Sequence, residues 1–397
     1  MQINSKTRIK LNKFFFRKEN NYFMVWPESK TNFIELTPES FEALNLLKKD
    51  LTISEIEKIL ENKFGEPVNL KEFVLELIDL GFVKYVNHIK IKNNKKRKTT
   101  LSSIKKSHVS WIYSKPMLYF YIFLVSVALL ILFFNPSYFP SYTDFFFTEN
   151  YLFTLIISII TALTLILIHE FAHLIAGKAV GVDGNISIGM RLFYPVAETN
   201  LTGLWSLPKK QRLIPLLAGM LNDILIISII LIAFRLSDFG LLPKNTGLFN
   251  FGKFIILILS YGIIWQFLFF IRTDIYFVVV TLSGAKNLYG DAWQFISNQI
   301  SIFFGKTPVS LQLSNKELRI VKGYSIFMLS GTIISMLSFI YFGIPILYEI
   351  LMQSINLIKL NDTASFIEGS ILFIIASIQI IGVLYFIIQS TRKAKKD

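Results

Sequence analysis

Long apolar runs and short amphipathic segments divide the chain into two parts. Up to about residue 88 the hydrophobic residues recur every two to four positions, whereas from residue 116 onward they form nearly uninterrupted runs. A helix needs about 20 apolar residues to cross the hydrocarbon core of a bilayer. Six runs approach that length, near residues 117–134, 151–176, 213–234, 254–283, 323–347 and 368–389. The pattern predicts an all-α polytopic membrane protein with about six transmembrane helices, preceded by a small N-terminal α+β domain.

The amphipathic part, residues 1–88, predicts two strands, three helices and a closing strand, which is a winged-helix-like order. The strands are expected at Tyr22–Trp26, Asn32–Leu36 and Phe82–Val86, with a turn at 27–30 between the first two. Each helix is expected where a polar residue that can cap a helix precedes an apolar stripe. These capping residues are Thr37, Thr52 and Asn69.

Residues 89–115 join the two parts and are strongly basic, with Lys90, Lys92, Lys95, Lys96, Arg97, Lys98, Lys105, Lys106 and Lys115. Basic segments beside transmembrane helices remain on the cytoplasmic side. The loops at 177–212 and 284–322 and the C-terminal tail are also basic, whereas residues 135–150 contain no lysine or arginine. The alternation predicts that both termini are cytoplasmic and that residues 116–397 form one membrane domain.

Composition agrees with membrane insertion, since 53% of the 397 residues are hydrophobic and 38 are phenylalanine. The net charge of +14 could suggest nucleic acid as a partner, but the basic residues cluster beside the apolar runs and the third predicted helix carries Glu72, Glu76 and Asp79. Carboxylates there would repel phosphates, so the lipid bilayer is expected as the partner and nucleic acid is not. The absence of cysteine excludes thiolate metal ligands and a cysteine nucleophile.

The second apolar run contains an H-E-x-x-H motif, Ile168-His169-Glu170-Phe171-Ala172-His173. On a helix, His169 and His173 are four residues apart and share one face. Two imidazoles in that arrangement can bind Zn²⁺, and Glu170 beside them can act as general base on a zinc-bound water. Since histidine and glutamate are costly within a membrane, the setting points to an intramembrane zinc protease rather than to a chance match.

A catalytic zinc site needs a third protein ligand, and the two remaining histidines, His88 and His108, lie outside the predicted spans. Two carboxylates within later spans are candidates, Asp223 and Asp274. Counting residues along each span at about 1.5 Å per residue places Asp274 at the depth of the histidines. Asp274 is therefore the predicted ligand. Asp223 and the adjacent Asn222 are predicted to orient a ligand or to make polar contacts between helices, and a salt bridge of Asp274 with Arg272 is the alternative.

Three segments resemble the site-2 protease family of intramembrane zinc metalloproteases. They are the H-E-x-x-H helix, the run Arg212-Leu213-Ile214-Pro215-Leu216-Leu217-Ala218-Gly219, and the segment from Gln266 to Tyr276. The last segment looks like the family's N-x-x-P-x-x-x-x-D-G motif, whose aspartate, here Asp274, binds zinc. Gln266, Phe269 and Ile275 stand where the family has Asn, Pro and Gly. These departures put the helix break and the substrate-pairing role of the Asn in question.

Most of residues 12–87 resembles the PqqD-like domains, the recognition elements of enzymes that modify ribosomally made peptides. The resemblance rests on the strand pair, the segment Leu36-Thr37-Pro38, the run Leu51-Thr52-Ile53-Ser54-Glu55-Ile56 and the run from Leu77 to Val83. It implies capture of a leader peptide, which would add as a strand to the edge formed by Phe33, Ile34, Glu35 and Leu36.

Together, the two resemblances imply a bacterial membrane enzyme that cleaves the leader of a ribosomally made, modified peptide. Two alternatives remain open. One is regulated proteolysis of a membrane-bound regulator, which requires a transmembrane substrate. The other is a catalytically silent protein of peptide export or immunity, in which Glu170 would have no catalytic role.

Overall fold

The computed structural model describes residues 3–19, 22–28, 32–65, 69–91, 99–101, 103–148, 151–191, 194–285, 287–311, 313–338, 340, 344–360 and 362–394. The chain forms two compact units. The first comprises Met1–Trp111, Leu174–Asn185 and Thr199–Arg212, and the second comprises Ile112–His173, Ile186–Glu198 and Leu213–Asp397. Some predicted features lie outside the described residues. They are part of the turn at 27–30, the segment 92–98 of the basic linker, Lys286 and the last three residues.

The first unit contains two three-stranded antiparallel sheets. One has the order β1-β5-β6 and the other the order β2-β3-β4. The strands are β1 (Ile9–Leu11), β2 (Phe14–Glu19), β3 (Tyr22–Pro27), β4 (Ile34–Leu36), β5 (Val83–Val86) and β6 (Ile89–Lys90). The predicted strands correspond to β3, β4 and β5. Strands β1, β2 and β6 were not predicted. Of these, β2 pairs with β3 in antiparallel orientation, from Phe14 opposite Pro27 to Glu19 opposite Tyr22.

Three helices cover these sheets: α1 (Pro38–Leu46), α2 (Ile53–Phe64) and α3 (Leu70–Asp79). Thr37, Thr52 and Asn69 cap them as the sequence predicts. The Thr52 backbone N–H donates to the Glu55 carboxylate at 2.7 Å and lowers its pKa. The helices and sheets enclose a core that contains Val25, Leu44, Ile56, Leu77 and Phe82. The N-terminal part of the chain is therefore a small mixed β/α domain, as predicted.

Arginine side chains hold the segment Thr199–Arg212 within the first unit. The guanidinium of Arg17, on β2, donates to the carbonyl oxygens of Ser206 at 2.6 Å and Trp205 at 3.1 Å. Arg212 is buried and donates to the Leu207 carbonyl at 2.7 Å. Since helix α7 begins at Lys209, these bonds fix the backbone that leads into it.

Among the residues that the structure describes, six helices are long and apolar enough to cross a membrane, which confirms the predicted fold class of a polytopic membrane protein. They are α5 (Lys115–Phe134), α6 (Tyr151–Ala179), α7 (Lys209–Asp238), α8 (Thr246–Gln266), α11 (Asn315–Ser338) and α13 (Thr363–Ala394). Shorter helices are α4 (Lys106–Val109), α9 (Asp274–Ser283), α10 (Leu288–Phe303) and α12 (Ile344–Ile358), and a hairpin of β7 (Asn185–Arg191) and β8 (Tyr194–Asn200) follows α6.

The continuous fourth span predicted at 254–283 is wrong. Helix α8 begins earlier and ends at Gln266, and a separate helix begins at Asp274. Between them lies a short 3-10 turn at Phe269–Ile271, after which Arg272 adopts a left-handed conformation with φ 62°. The break was not predicted because the apolar run continues across it and contains neither proline nor glycine between Gln266 and Asp274. The fifth span also begins earlier than predicted, at Asn315, and α10 and most of α12 occupy segments where no helix was predicted.

Candidate metal centre

Helix α6 presents the two histidines of the H-E-x-x-H motif on one face. Most of its 29 residues are apolar, which favours a helix with all backbone hydrogen bonds satisfied within the segment. His169 and His173 are both buried, and their ring centroids are 5.0 Å apart. The sequence spacing therefore produces the paired imidazoles that it predicts.

Asp274 reaches these histidines from the first position of α9. Its Oδ2 atom lies 3.1 Å from His169 Nε2 and 3.0 Å from His173 Nε2, and the two Nε2 atoms are 3.3 Å apart. The three side chains form a group that could hold a metal ion. The predicted depth of Asp274 assumed one unbroken helix, which is wrong, because α8 ends at Gln266 and α9 begins at Asp274. The aspartate nevertheless lies beside both histidines. The alternative ion pair with Arg272 is not observed, because the Arg272 guanidinium lies over the Tyr289 ring.

The separations fit a tetrahedral zinc ion. Zinc bonds of about 2.0–2.1 Å at tetrahedral angles place neighbouring ligand atoms roughly 3.3–3.4 Å apart. The three observed separations, 3.0 to 3.3 Å, are close to that value.

The outer nitrogens of the two rings show how the centre could bind a cation. His173 Nδ1 lies 2.7 Å from the carbonyl oxygen of Pro215, which can only accept, so this nitrogen carries a hydrogen. His169 Nδ1 lies 2.6 Å from Asp223 Oδ2 and donates to it in the same way. In the neutral tautomers both Nε2 atoms are then acceptors facing a carboxylate. Three converging acceptors repel one another unless a positive charge lies between them.

Helix α7 supplies three of the contacts that shape the centre. Pro215 and Asp223 orient the two rings, as carbonyl and carboxylate partners do for metal-binding histidines. Gly219 lies against His169, since a Cβ atom at this position would be 2.3 Å from His169 Nε2. The absence of a side chain at Gly219 therefore provides the space that the imidazole occupies.

Glu170 and Asn222, the other residues predicted near the centre, differ in what surrounds them. Glu170 is 8% exposed and adjacent to His169 on α6, so its carboxyl group is in a largely water-excluded part of the protein. Asn222 adjoins Asp223, but its Nδ2 atom is buried and makes no hydrogen bond to any residue that the structure describes. Of the two residues predicted to orient a ligand, only Asp223 contacts a histidine.

The predicted peptide-binding residues lie on and beside β4 in the first unit. Phe33, Ile34 and Glu35 are half-buried, and Leu36 is buried in the core. β4 pairs with β3 and is the last strand in the order β2-β3-β4. Ile34 also packs against the core, so its side chain contributes to the stability of the domain.

Two contributors to the centre were missed by sequence reasoning. Pro215 and Gly219 lie on α7, and no role was predicted for either. A backbone carbonyl acceptor leaves no signal in the side-chain sequence, whereas a glycine amid the apolar residues of a predicted span could have indicated a close approach.

Comparisons of the chain with protein families, with curated proteins and with solved structures find no match.

Proposed function

We propose that the protein is a membrane-embedded zinc endopeptidase. The observation that supports this proposal is the convergence of His169, His173 and Asp274 within 4.8 Å, next to Glu170 on the same helix as the histidines. Two imidazoles and one carboxylate are the donor set of many zinc hydrolases, in which a fourth position stays open for water. The glutamate in the motif supplies the proton acceptor that hydrolysis requires.

Each side chain has a defined task in the proposed reaction. His169, His173 and Asp274 would hold the ion, and Asp223 and the Pro215 carbonyl keep the two rings in the required tautomer. Zinc, when bound, lowers the pKa of a water ligand and polarises the carbonyl of the scissile bond. Glu170 accepts a proton from the attacking water and returns it to the leaving amine.

The proposed substrate is a leader peptide that the N-terminal domain captures from the cytosol. β4 lies at the edge of its sheet, and a peptide can extend such a sheet by main-chain hydrogen bonds. Binding to a domain of the same chain would raise the local concentration of the peptide at the metal centre. The proposed location is a bacterial cell membrane, with both termini in the cytoplasm, as the basic segments favour.

Metal removal tests the proposed activity directly. The purified protein in lipid nanodiscs should contain one zinc per chain and cleave a precursor peptide whose leader binds its N-terminal domain. A zinc chelator should abolish cleavage, and one equivalent of Zn²⁺ should restore it. Cleavage that persists in the metal-free protein would exclude a zinc peptidase. A transmembrane peptide cut in place of the precursor would support the regulated-proteolysis alternative and exclude leader processing.

Proline substitutions in β4 test the docking edge. Successive residues of an edge strand direct their N–H groups alternately toward the neighbouring strand and away from it. Of Ile34→Pro and Glu35→Pro, one therefore removes a bond to β3, whereas the other removes an outward N–H group. Ile34→Ala and Glu35→Ala are the matched controls, because they remove the same side chains, including the one of Ile34 that packs against the core, but keep the N–H groups. We expect the variant without the outward N–H group to match its alanine control in melting temperature and zinc content but to bind the leader at least about tenfold more weakly, measured by fluorescence anisotropy. Unchanged affinity in that variant would rule out docking on β4.

A further inference from the structure

Gln266 forms two hydrogen bonds across the break between α8 and α9. It is the last residue of α8, whereas Asp274 is the first residue of α9. The Asp274 backbone N–H donates to the side-chain oxygen Oε1 of Gln266 at 3.0 Å. The Thr273 hydroxyl donates to the Gln266 backbone carbonyl at 2.6 Å. One residue thus contacts both the aspartate and its predecessor across the intervening turn.

These bonds replace the ordinary cap of α9. The first N–H groups of a helix have no partner within it and need an acceptor from elsewhere. Thr273 occupies the N-cap position, but its side chain makes no capping bond to α9. The Gln266 oxygen supplies the acceptor for the first of these groups, on the residue that completes the metal centre.

The backbone before Asp274 is in a conformation that requires such support. Arg272 has φ 62° and ψ 46°, the left-handed region, which costs about 1–2 kcal/mol for a residue with a side chain. The seven residues between Gln266 and Asp274 include no proline, which would restrict the backbone, and no glycine, which would adopt the left-handed conformation without cost. Loss of the side-chain acceptor of Gln266 would leave the first N–H group of α9 without this partner, at the residue whose carboxylate faces the histidines.

We propose that Gln266 is a positioning residue that sets the metal affinity of the centre by holding Asp274 in place. This inference rests on the proposed zinc site, but not on proteolysis. It differs from the substrate-pairing role that the resemblance to site-2 proteases implies for this position. Positioning requires only the acceptor oxygen of the side chain, whereas pairing with a peptide also uses the amide N–H groups.

Two substitutions separate these roles. Gln266→Met keeps the length of the side chain but removes the acceptor, whereas Gln266→Glu keeps an acceptor oxygen and removes the amide donors. We expect Gln266→Met to weaken zinc binding by about 10–100-fold, the effect of losing an outer partner of a metal ligand. Gln266→Glu should bind zinc within about threefold of the wild type. Gln299→Met, at an exposed position of α10, is the matched control and should bind zinc as the wild type does.

Zinc affinity is measured by competition with a chromophoric chelator on the full-length protein in nanodiscs, and the visible spectrum of bound Co²⁺ reports the ligand geometry. An altered Co²⁺ spectrum in Gln266→Met, but not in Gln266→Glu, supports positioning. Wild-type zinc affinity in Gln266→Met overturns the proposal. If Gln266→Met binds zinc as the wild type does but has a raised KM for peptide, the residue is assigned to substrate binding instead.

Failure of the proposed function is distinguishable from failure of this inference. If the wild type binds zinc but cleaves no peptide, the endopeptidase proposal fails, while the comparison of zinc affinities still decides the role of Gln266. If cleavage depends on zinc but Gln266→Met retains full zinc affinity, the endopeptidase proposal stands and the positioning role of Gln266 fails.

Discussion

Glu170→Gln should abolish peptide cleavage and leave the metal in place. Glutamine has the size of glutamate but cannot accept the proton of the attacking water. General acid–base catalysis contributes between about 10² and 10⁴ in rate, so we expect a loss of that order in kcat. Because Glu170 is not among the three converging donors, the zinc content should stay at one ion per chain. Single-turnover cleavage and elemental analysis of the same preparation measure both quantities.

The control for this variant is Glu61→Gln, which makes the same chemical change at an exposed position of α2. It should retain wild-type kcat and zinc content. Undiminished cleavage in Glu170→Gln would exclude this residue as the base. Loss of zinc together with activity would show instead that Glu170 is needed to build the site. A wild type that binds zinc but cleaves nothing, with the variant indistinguishable from it, would support the catalytically silent alternative.

Gly219→Ala should weaken metal binding more than the loss of any outer partner. The added Cβ would lie 2.3 Å from His169 Nε2 and 2.5 Å from two ring carbons, well inside van der Waals contact. The ring cannot turn away freely, since its Nδ1 atom is held by Asp223 at 2.6 Å. Either the imidazole leaves its position or α7 moves away from α6, so the zinc affinity should fall by more than about 100-fold.

Gly262→Ala is the matched control, because it places the same methyl group in the interior of another apolar helix, α8, with no atom within 4 Å beyond the backbone of its own helix. Alanine also has the higher helix propensity. We expect wild-type zinc affinity and unchanged thermal stability for this variant. If Gly219→Ala also bound zinc as the wild type does, the close contact between α7 and the ligand ring would not be needed for the metal centre.

The secondary structure of the N-terminal domain was predictable where local chemistry decides it. Thr37, Thr52 and Asn69 cap three helices because their side chains accept hydrogen bonds from the first turn that follows. β2 was missed because Phe14-Phe15-Phe16-Arg17-Lys18-Glu19 has no alternation of apolar and polar residues. Its partner β3 specifies this strand by cross-strand pairing.

The sequence by itself determined that the chain forms about six long apolar helices, although not where the fourth one ends, and that two histidines are paired on one of them. An apolar run of about 20 residues can satisfy its backbone in lipid only as a helix, and a spacing of four residues puts His169 and His173 on one face of it. Only the tertiary structure decided how Asp274 reaches them. The aspartate is 105 residues from His169 and 101 residues from His173 along the chain, and α8 ends before it. The contacts that shape the centre join residues of different helices. They are made by Gln266, Pro215, Gly219 and Asp223. Such contacts depend on packing across the whole domain, which no local pattern of residues specifies.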